Sequence, residues 1–124
     1  METNKVTDLS YLRQLANGSD EFMETMSTLF MEETPLTIEN MEASCLKSDW
    51  KAIKAMAHKM KPSFGFMGIA SMKELIEELE KEAESASNPD LIMEKIISLK
   101  VICRSAINEL RQDLKTYHKP LSRL

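Results

Sequence analysis

The sequence predicts an all-α fold, an antiparallel four-helix bundle with a short additional N-terminal helix. Apolar residues recur at steps of three and four positions along nearly the whole chain, which is the period of an α-helix. Only three of the 124 residues are glycine, and 43% are hydrophobic, which is sufficient for a packed core. A chain of this length is expected to form one domain, covering residues 1–124.

The first predicted helix is short. It begins at Thr7 or Asp8 and ends at Gly18, a residue that readily adopts the left-handed conformation found after helices. Its apolar residues are expected to face the core, and they are Leu9, Leu12 and Leu15.

A longer second helix follows, capped by Ser19 or Asp20. Pro35 should kink or briefly break it, because proline has no N–H for the helical hydrogen bond. The predicted inward stripe has one polar gap at Thr34. Its members are Phe22, Met26, Leu29, Phe30, Ile38, Met41 and Cys45.

Three more helices complete the predicted bundle. Asp49 caps the third, which ends at a pair of glycines, and the fourth runs over about residues 70–87. Asn88-Pro89 starts the last helix, since a capping side chain followed by proline favours a helix N-terminus. That helix is expected to reach about His118, with 119–124 as a loose tail.

Composition and charge disfavour several classes of function. The chain carries 16 basic and 20 acidic side chains, and the resulting net charge of −4 disfavours a nucleic-acid-binding protein. No apolar run approaches the roughly 20 residues of a membrane-spanning helix. We therefore expect neither a nucleic acid nor a membrane as a partner. The chain opens without an apolar signal core, and the expected location is the cytoplasm.

Metal and nucleotide chemistry are also not expected. The two cysteines and two histidines are too scattered to form a recognisable zinc site, and Cys45 and Cys103 are interpreted as reduced core residues. No Glu-x-x-His pair is present, which disfavours a di-iron bundle. The phosphate-binding motifs G-x-x-x-x-G-K-[ST] and G-x-G-x-x-G are absent, so no ATP-dependent kinase activity is expected.

His58 differs from an ordinary core histidine in its place on the third helix. Residues three, four and seven positions away share its face, and these are Lys51, Lys54, Ala55, Lys61, Pro62 and Gly65. The apolar residues Met56 and Met60 each lie two positions away, about 200° around the helix. The pattern therefore predicts that the imidazole of His58 is exposed to solvent.

Charge is distributed unevenly around this histidine. Residues 47–61 carry five lysines and one aspartate, a net charge of +4, and residues 74–84 carry six glutamates and one lysine, a net charge of −5. A cationic patch attracts an anionic group and balances its charge. The alternative interpretation of these lysines is an ordinary solvated helix face.

Residues 57–69 carry a motif that resembles the histidine-containing phosphotransfer (HPt) domain family. The segment reads Ala-His-Lys-Met-Lys-Pro-Ser-Phe-Gly-Phe-Met-Gly-Ile, and the family's pattern is roughly A-H-x-[LM]-K-G-[SA]-x-x-x-x-G-[AL]. Ala57, Met60, Ser63 and Gly68 are all in register with His58. The order of five helices agrees along nearly the whole chain.

The resemblance implies a phosphocarrier of two-component phosphorelays, a phosphoprotein rather than an enzyme. His58 would accept a phosphoryl group from the aspartate of one response-regulator receiver domain and donate it to another, attacking through Nε2 to form phosphohistidine. A hybrid sensor histidine kinase is a further implied partner. Mg²⁺ is expected on the receiver, so no cofactor is expected here, and the chain is expected to be a monomer.

The resemblance also implies supporting roles near His58. Lys61 would balance the charge of the phosphoryl group, with Lys59 and Lys54 as weaker helpers. Gly65 and Gly68 would allow close backbone approach between adjacent helices.

A surface for receiver docking is expected beside the histidine. An exposed apolar patch formed by Leu12, Ala55 or Phe66 would suit such docking.

Two further positions bear on the geometry around His58. Pro62 stands where the family usually has glycine, and its clash with the His58 carbonyl predicts a bend in the helix just after the histidine. Some family members hold the imidazole with a polar side chain about 22 positions after it. Glu80 falls there, and a solvated helix charge is its alternative role.

Two other functions stay open. A helical adaptor would bind a receiver or kinase domain without carrying phosphate. The phosphoacceptor part of a histidine kinase is disfavoured, because no ATP-binding domain accompanies it. A His58 that is buried or held in a salt bridge would count against the carrier.

Overall fold

The computed structural model describes residues 5–122, with side chains described for residues 5–115. It contains five helices in the predicted order, and no strand occurs within residues 5–122. They are α1 (Ser10–Ala16), α2 (Asp20–Leu46), α3 (Trp50–Met67), α4 (Ala70–Ser85) and α5 (Pro89–Ser122). The predicted all-α class is confirmed.

The four longer helices form a bundle in which each packs against two others. α2 contacts α3 and α5, and α4 contacts α3 and α5, so that α3 and α5 lie diagonally opposite each other. The connections between consecutive helices are only two or three residues long, which places neighbours in the chain side by side and antiparallel. The short α1 packs against α2 and α3.

Side-chain caps begin three of the long helices, as predicted. The hydroxyl of Ser19 accepts a hydrogen bond from the N–H of Phe22 at the start of α2. Carboxylate and amide oxygens do the same for α3 and α5, where Asp49 accepts from Ala52 and Asn88 accepts from Leu91. Each cap satisfies an N–H group that has no partner within its helix.

Two leucines that were predicted to face the core are exposed instead. Leu15 is 45% exposed and Leu29 is 42% exposed. In α2 the buried positions follow steps of three and four whether the residue is polar or apolar. Ser27 and Thr34 are therefore buried, whereas Leu29 lies outside this pattern. The buried positions of α2 are Met23, Ser27, Phe30, Thr34, Ile38, Met41 and Cys45.

Both cysteines are unpaired and buried in the core. Burial raises the pKa of the Cys103 thiol to about 11, which keeps the thiol protonated at neutral pH.

Neither Pro35 in α2 nor Pro62 in α3 interrupts its helix. α2 continues through Pro35 from Asp20 to Leu46, so the predicted break does not occur, and α3 is likewise continuous through Pro62. A proline removes one hydrogen bond from a helix whose flanking turns are held by their buried faces. The predicted bend after His58 stays a prediction.

The last helix is longer than predicted. α5 reaches Ser122, so the backbone of residues 119–122, expected as a loose tail, is helical. Pro120 does not end this helix, because an existing helix tolerates the loss of one hydrogen bond. Residues 123–124 lie outside the described part of the chain.

Residues 6–8, which precede α1, form hydrogen bonds with both α5 and the end of α3. The carboxylate of Glu109 on α5 accepts hydrogen bonds from the N–H groups of Val6 and Thr7 and from the Thr7 hydroxyl. The N–H of Asp8 donates to the carbonyl of Met67 at 3.1 Å.

The two glycines at the end of α3 have different roles from those predicted. Gly68 has φ +62°, and a Cβ there would lie 2.0 Å from the carbonyl oxygen of Asp8, so its close approach is to the N-terminal segment rather than between adjacent helices. A Cβ at Gly65 would have no neighbour within 4 Å, so no close approach requires glycine there. The predicted role of Gly65 is wrong, because its exposed position leaves room for a side chain.

Among the described residues, no helix is long and apolar enough to cross a membrane.

Replacing these glycines by alanine should have opposite effects on stability. We expect Gly68→Ala to lower the free energy of unfolding by at least about 1–3 kcal/mol, because it combines a positive φ with a clash against backbone. Gly65→Ala is the matched control and should raise it by about 0.5–1 kcal/mol. Urea unfolding followed by circular dichroism measures both, and equal stability of the two variants would contradict this account.

Candidate functional site

His58 lies on the outer face of α3, as its position on the helix predicted. The buried residues of this helix are Ile53, Ala57, Met60, Phe64 and Met67. They leave the histidine opposite the core, and 73% of its side chain is exposed. Ala55, which shares its face, is also exposed. The imidazole is therefore accessible to a partner.

Glu80 on α4 holds one nitrogen of this imidazole. Its Oε2 lies 3.1 Å from Nδ1 of His58, and only 17% of the glutamate side chain is exposed. A carboxylate accepts hydrogen bonds, so it favours the tautomer with the proton on Nδ1 and leaves the lone pair on Nε2. Nε2 has no hydrogen-bond partner among the residues that the structure describes.

A His58 that is buried or held in a salt bridge would count against a phosphocarrier, and the contact with Glu80 bears on this criterion. His58 does contact a carboxylate, which is an expected sign of a chain that does not carry phosphate. The contact occupies Nδ1, however, whereas the family resemblance implies attack through Nε2, and the ring is not buried. Nε2 of His58 therefore stays accessible.

Lys61 shares the same carboxylate. Its Nζ lies 2.6 Å from the other oxygen of Glu80, so one glutamate contacts both His58 and Lys61. The hydrogen bond from Lys61 is the largest cause of a lowered pKa of Glu80, opposed by partial burial and assisted by the hydrogen bond from His58. Glu80 is therefore ionised at neutral pH and acts as an acceptor toward both neighbours.

The predicted basic patch around His58 is partly neutralised. A second ion pair joins the helices, with Nζ of Lys54 at 2.5 Å from Glu84. The lysines of α3 and the glutamates of α4 thus meet across the α3–α4 contact instead of forming separate surfaces. A shallow cleft between these helices is lined by Lys54, Lys61, Glu77, Glu80, Lys81 and Glu84.

Lys59 lies on another side of His58 from Glu80. It lines an open groove between α2 and α3, together with Leu36, Met56 and Ser63. The three lysines named from the sequence are therefore not equivalent. Lys61 shares a carboxylate with the histidine, Lys54 is held by Glu84, and Lys59 faces the groove.

Pro62 lies one turn after His58 and is exposed on the same face. Since proline has no N–H, the carbonyl of His58 lacks the donor that normally follows four residues later.

The apolar surface near His58 differs from the expected one. Leu12 is fully buried and belongs to the core, so its predicted place in a docking patch is wrong. It faces inward because α1 packs against α2 and α3. Phe66 is half-buried and stacks on Tyr11, with ring centroids 6.2 Å apart.

Sequence reasoning missed three exposed apolar residues near the groove or its end. Leu36 lines the groove between α2 and α3, Leu29 lines an adjoining cavity between the same helices, and Tyr11 is 50% exposed beside Phe66. Leu29 was predicted to face the core. The hydrophobic residues of α2 that fall outside the three- and four-residue pattern are the sequence signal for this exposed apolar surface.

Metal-ligating side chains do not cluster in the part of the chain that the structure describes. No group of three or more histidine, cysteine, aspartate or glutamate side chains there has a geometry that would hold an ion.

The site is an accessible histidine on a four-helix bundle, with Nδ1 held by Glu80 and Nε2 open to solvent. A family model described as Hpt domain matches residues 25–117, three quarters of the chain. The chain therefore belongs to the Hpt domain family. No curated protein and no solved structure matches it. Hpt domains transfer phosphoryl groups in two-component signalling.

Proposed function

We propose that this chain is a phosphocarrier that moves a phosphoryl group between aspartates of receiver domains through Nε2 of His58. The observation that carries the proposal is the exposed imidazole whose Nδ1 contacts Glu80 at 3.1 Å. Family membership supports the general function, and the arrangement around His58 supports the assignment of the residue.

The proposed transfer needs no proton acceptor at the attacking nitrogen. The lone pair of Nε2 attacks the phosphorus of an aspartyl phosphate, the bond from phosphorus to the aspartyl oxygen breaks, and the aspartate leaves as a carboxylate. The ring keeps its proton on Nδ1 and acquires positive charge. Ionised Glu80 lies beside that proton and stabilises this charge. Transfer to the next receiver reverses these steps.

Lys61 is proposed to balance the charge of the bound phosphoryl group, for which it must share or leave Glu80. Its side chain is 34% exposed, and a partly exposed ion pair exchanges partners at little cost in free energy. A phosphoryl group carries more negative charge than one carboxylate, which favours the exchange. Lys54 and Lys59 are proposed as weaker helpers, since Glu84 holds the first and the second faces the groove.

The receiver is proposed to approach across α3 and the groove between α2 and α3. Ala55 and Gly65 leave low, open surface around His58, and a Cβ at Gly65 would meet nothing. The exposed side chains of Leu29 and Leu36 provide apolar contact area next to this surface. The receiver would supply Mg²⁺ and the acidic pocket.

A second partner is proposed on the same grounds of family membership. Hpt domains act with receiver domains and kinases and are carriers rather than kinases, so we propose a hybrid sensor histidine kinase as the source of phosphate. We also propose a cytoplasmic location, because the two buried thiols are unpaired.

The first test is transfer of labelled phosphate from a phosphorylated receiver domain with Mg²⁺. We expect acid-labile label on the wild-type chain and none on His58→Gln. His118→Gln is the matched control, because His58 and His118 are the only two histidines, and it should keep the label. Label on His58→Gln would overturn the assignment. A chain that binds the receiver without acquiring label would support the adaptor instead.

The second test compares two lysines that form ion pairs with α4. Lys61→Ala should slow transfer to His58 about tenfold or more, because it removes the cation proposed to balance the phosphoryl charge. Lys54→Ala breaks a similar pair, leaves the contacts of Glu80 with His58 and Lys61 in place, and should change the rate less than about twofold. Rapid-quench measurement of the label gives both rates. Equal slowing by the two substitutions would contradict the proposed role of Lys61.

A further inference from the structure

The face of α5 that points away from the core carries a continuous stripe of exposed residues. At steps of three and four positions, this face consists of Asp90, Glu94, Ile97, Val101, Arg104, Asn108 and Arg111. All are exposed, and the two aliphatic side chains at its centre, Ile97 and Val101, are 48% and 56% exposed. Acidic residues thus precede the apolar centre and basic residues follow it.

The stripe has few partners within the chain. Glu94, Arg104 and Arg111 form no ion pair with any side chain in the described range. The helix dipole favours an acidic residue such as Asp90 in the first turn, but it does not require Arg104, which lies in the middle of a helix ending at Ser122. The order of charges therefore needs another explanation.

The stripe is complementary to itself in the antiparallel direction. Ile97 and Val101 lie two residues on either side of position 99, and Glu94 and Arg104 lie five residues on either side. If two copies of α5 cross antiparallel at this level, the same rise per residue brings each pair to equal height. Ile97 then faces Val101 of the second copy, and Glu94 faces Arg104 of the second copy.

We propose that α5 is a dimerisation surface whose partner is a second copy of this chain, related by a two-fold axis at the level of position 99. A two-fold interface uses the same patch on both copies, so each contact occurs twice. The centre is apolar and the flanking residues are charged pairs of opposite sign, which sets both the direction and the register of the helices.

This arrangement leaves the phosphoacceptor site free. α3 and α5 lie diagonally opposite each other, and their backbones do not pack closely in the described part of the chain. The two copies of His58 therefore lie on the far sides of the dimer, where each is accessible to its own receiver. The proposal replaces the sequence-based expectation of a monomer and does not depend on the proposed function.

The dimer should be weak. Two apolar side chains per copy make a contact smaller than the roughly 1,600 Å² of a standard protein interface. Its charged pairs are exposed and screened by salt, so dissociation should become easier as ionic strength rises.

Sedimentation equilibrium of the full chain, from about 10 µM to 1 mM, tests the proposal by charge reversal. We expect the wild-type chain to dimerise. Glu94→Arg or Arg104→Glu alone should raise the dissociation constant at least about tenfold, because each change brings like charges together twice in the dimer. The double variant E94R/R104E restores opposite charges and should recover the wild-type constant. Lys73→Glu, an exposed reversal on α4, is the control and should change nothing.

Three results would overturn this interface: a wild-type chain that is monomeric at all concentrations, single variants that dimerise as the wild type does, or a double variant that fails to recover. Circular dichroism of every variant establishes that the helices are formed. Labelling of His58 by a phosphorylated receiver should be unchanged in all of them, so failure of the dimer and failure of the carrier function are measured separately.

Discussion

The hydrogen bonds that Glu80 accepts from His58 and Lys61 are the interactions on which the site depends. They exist only if α3 and α4 pack in one register, because the glutamate must reach two residues one turn apart. The buried sides of the two helices set that register, while the carboxylate lies at the margin of the contact with 17% of its side chain exposed. The imidazole is thus held at one nitrogen without being enclosed.

Properties confined to one helix were predictable from the sequence. The exposure of His58 follows from its angle to Met56 and Met60, and the cap at Asp49 from a local hydrogen bond. Relations between helices were not predictable in the same way. The two oppositely charged segments were both identified, yet only the packing of α3 on α4 shows that Lys54 pairs with Glu84.

The predictions that the structure contradicts have a related physical cause. The position of a residue on its helix decides its burial more strongly than its residue type. Leu29 was placed in the core because it is apolar, whereas Thr34 occupies the buried line of α2. Gly65 was assigned a close contact that its outward face does not make. Gly68 does make one, but with Asp8 in a segment far away in sequence, a contact that only the folded chain brings about.

Glu80 is proposed to keep the proton of neutral His58 on Nδ1 and to leave Nε2 free to attack. Nitrogen-15 NMR of the ring, at a pH where the imidazole is neutral, tests it most directly, because the two nitrogens have distinct shifts when protonated and unprotonated. We expect a protonated Nδ1 in the wild-type chain and a shift of the proton toward Nε2 in Glu80→Ala. Neutral His58 protonated mainly at Nε2 in the wild type, or a ring unaffected by the substitution, would contradict the account.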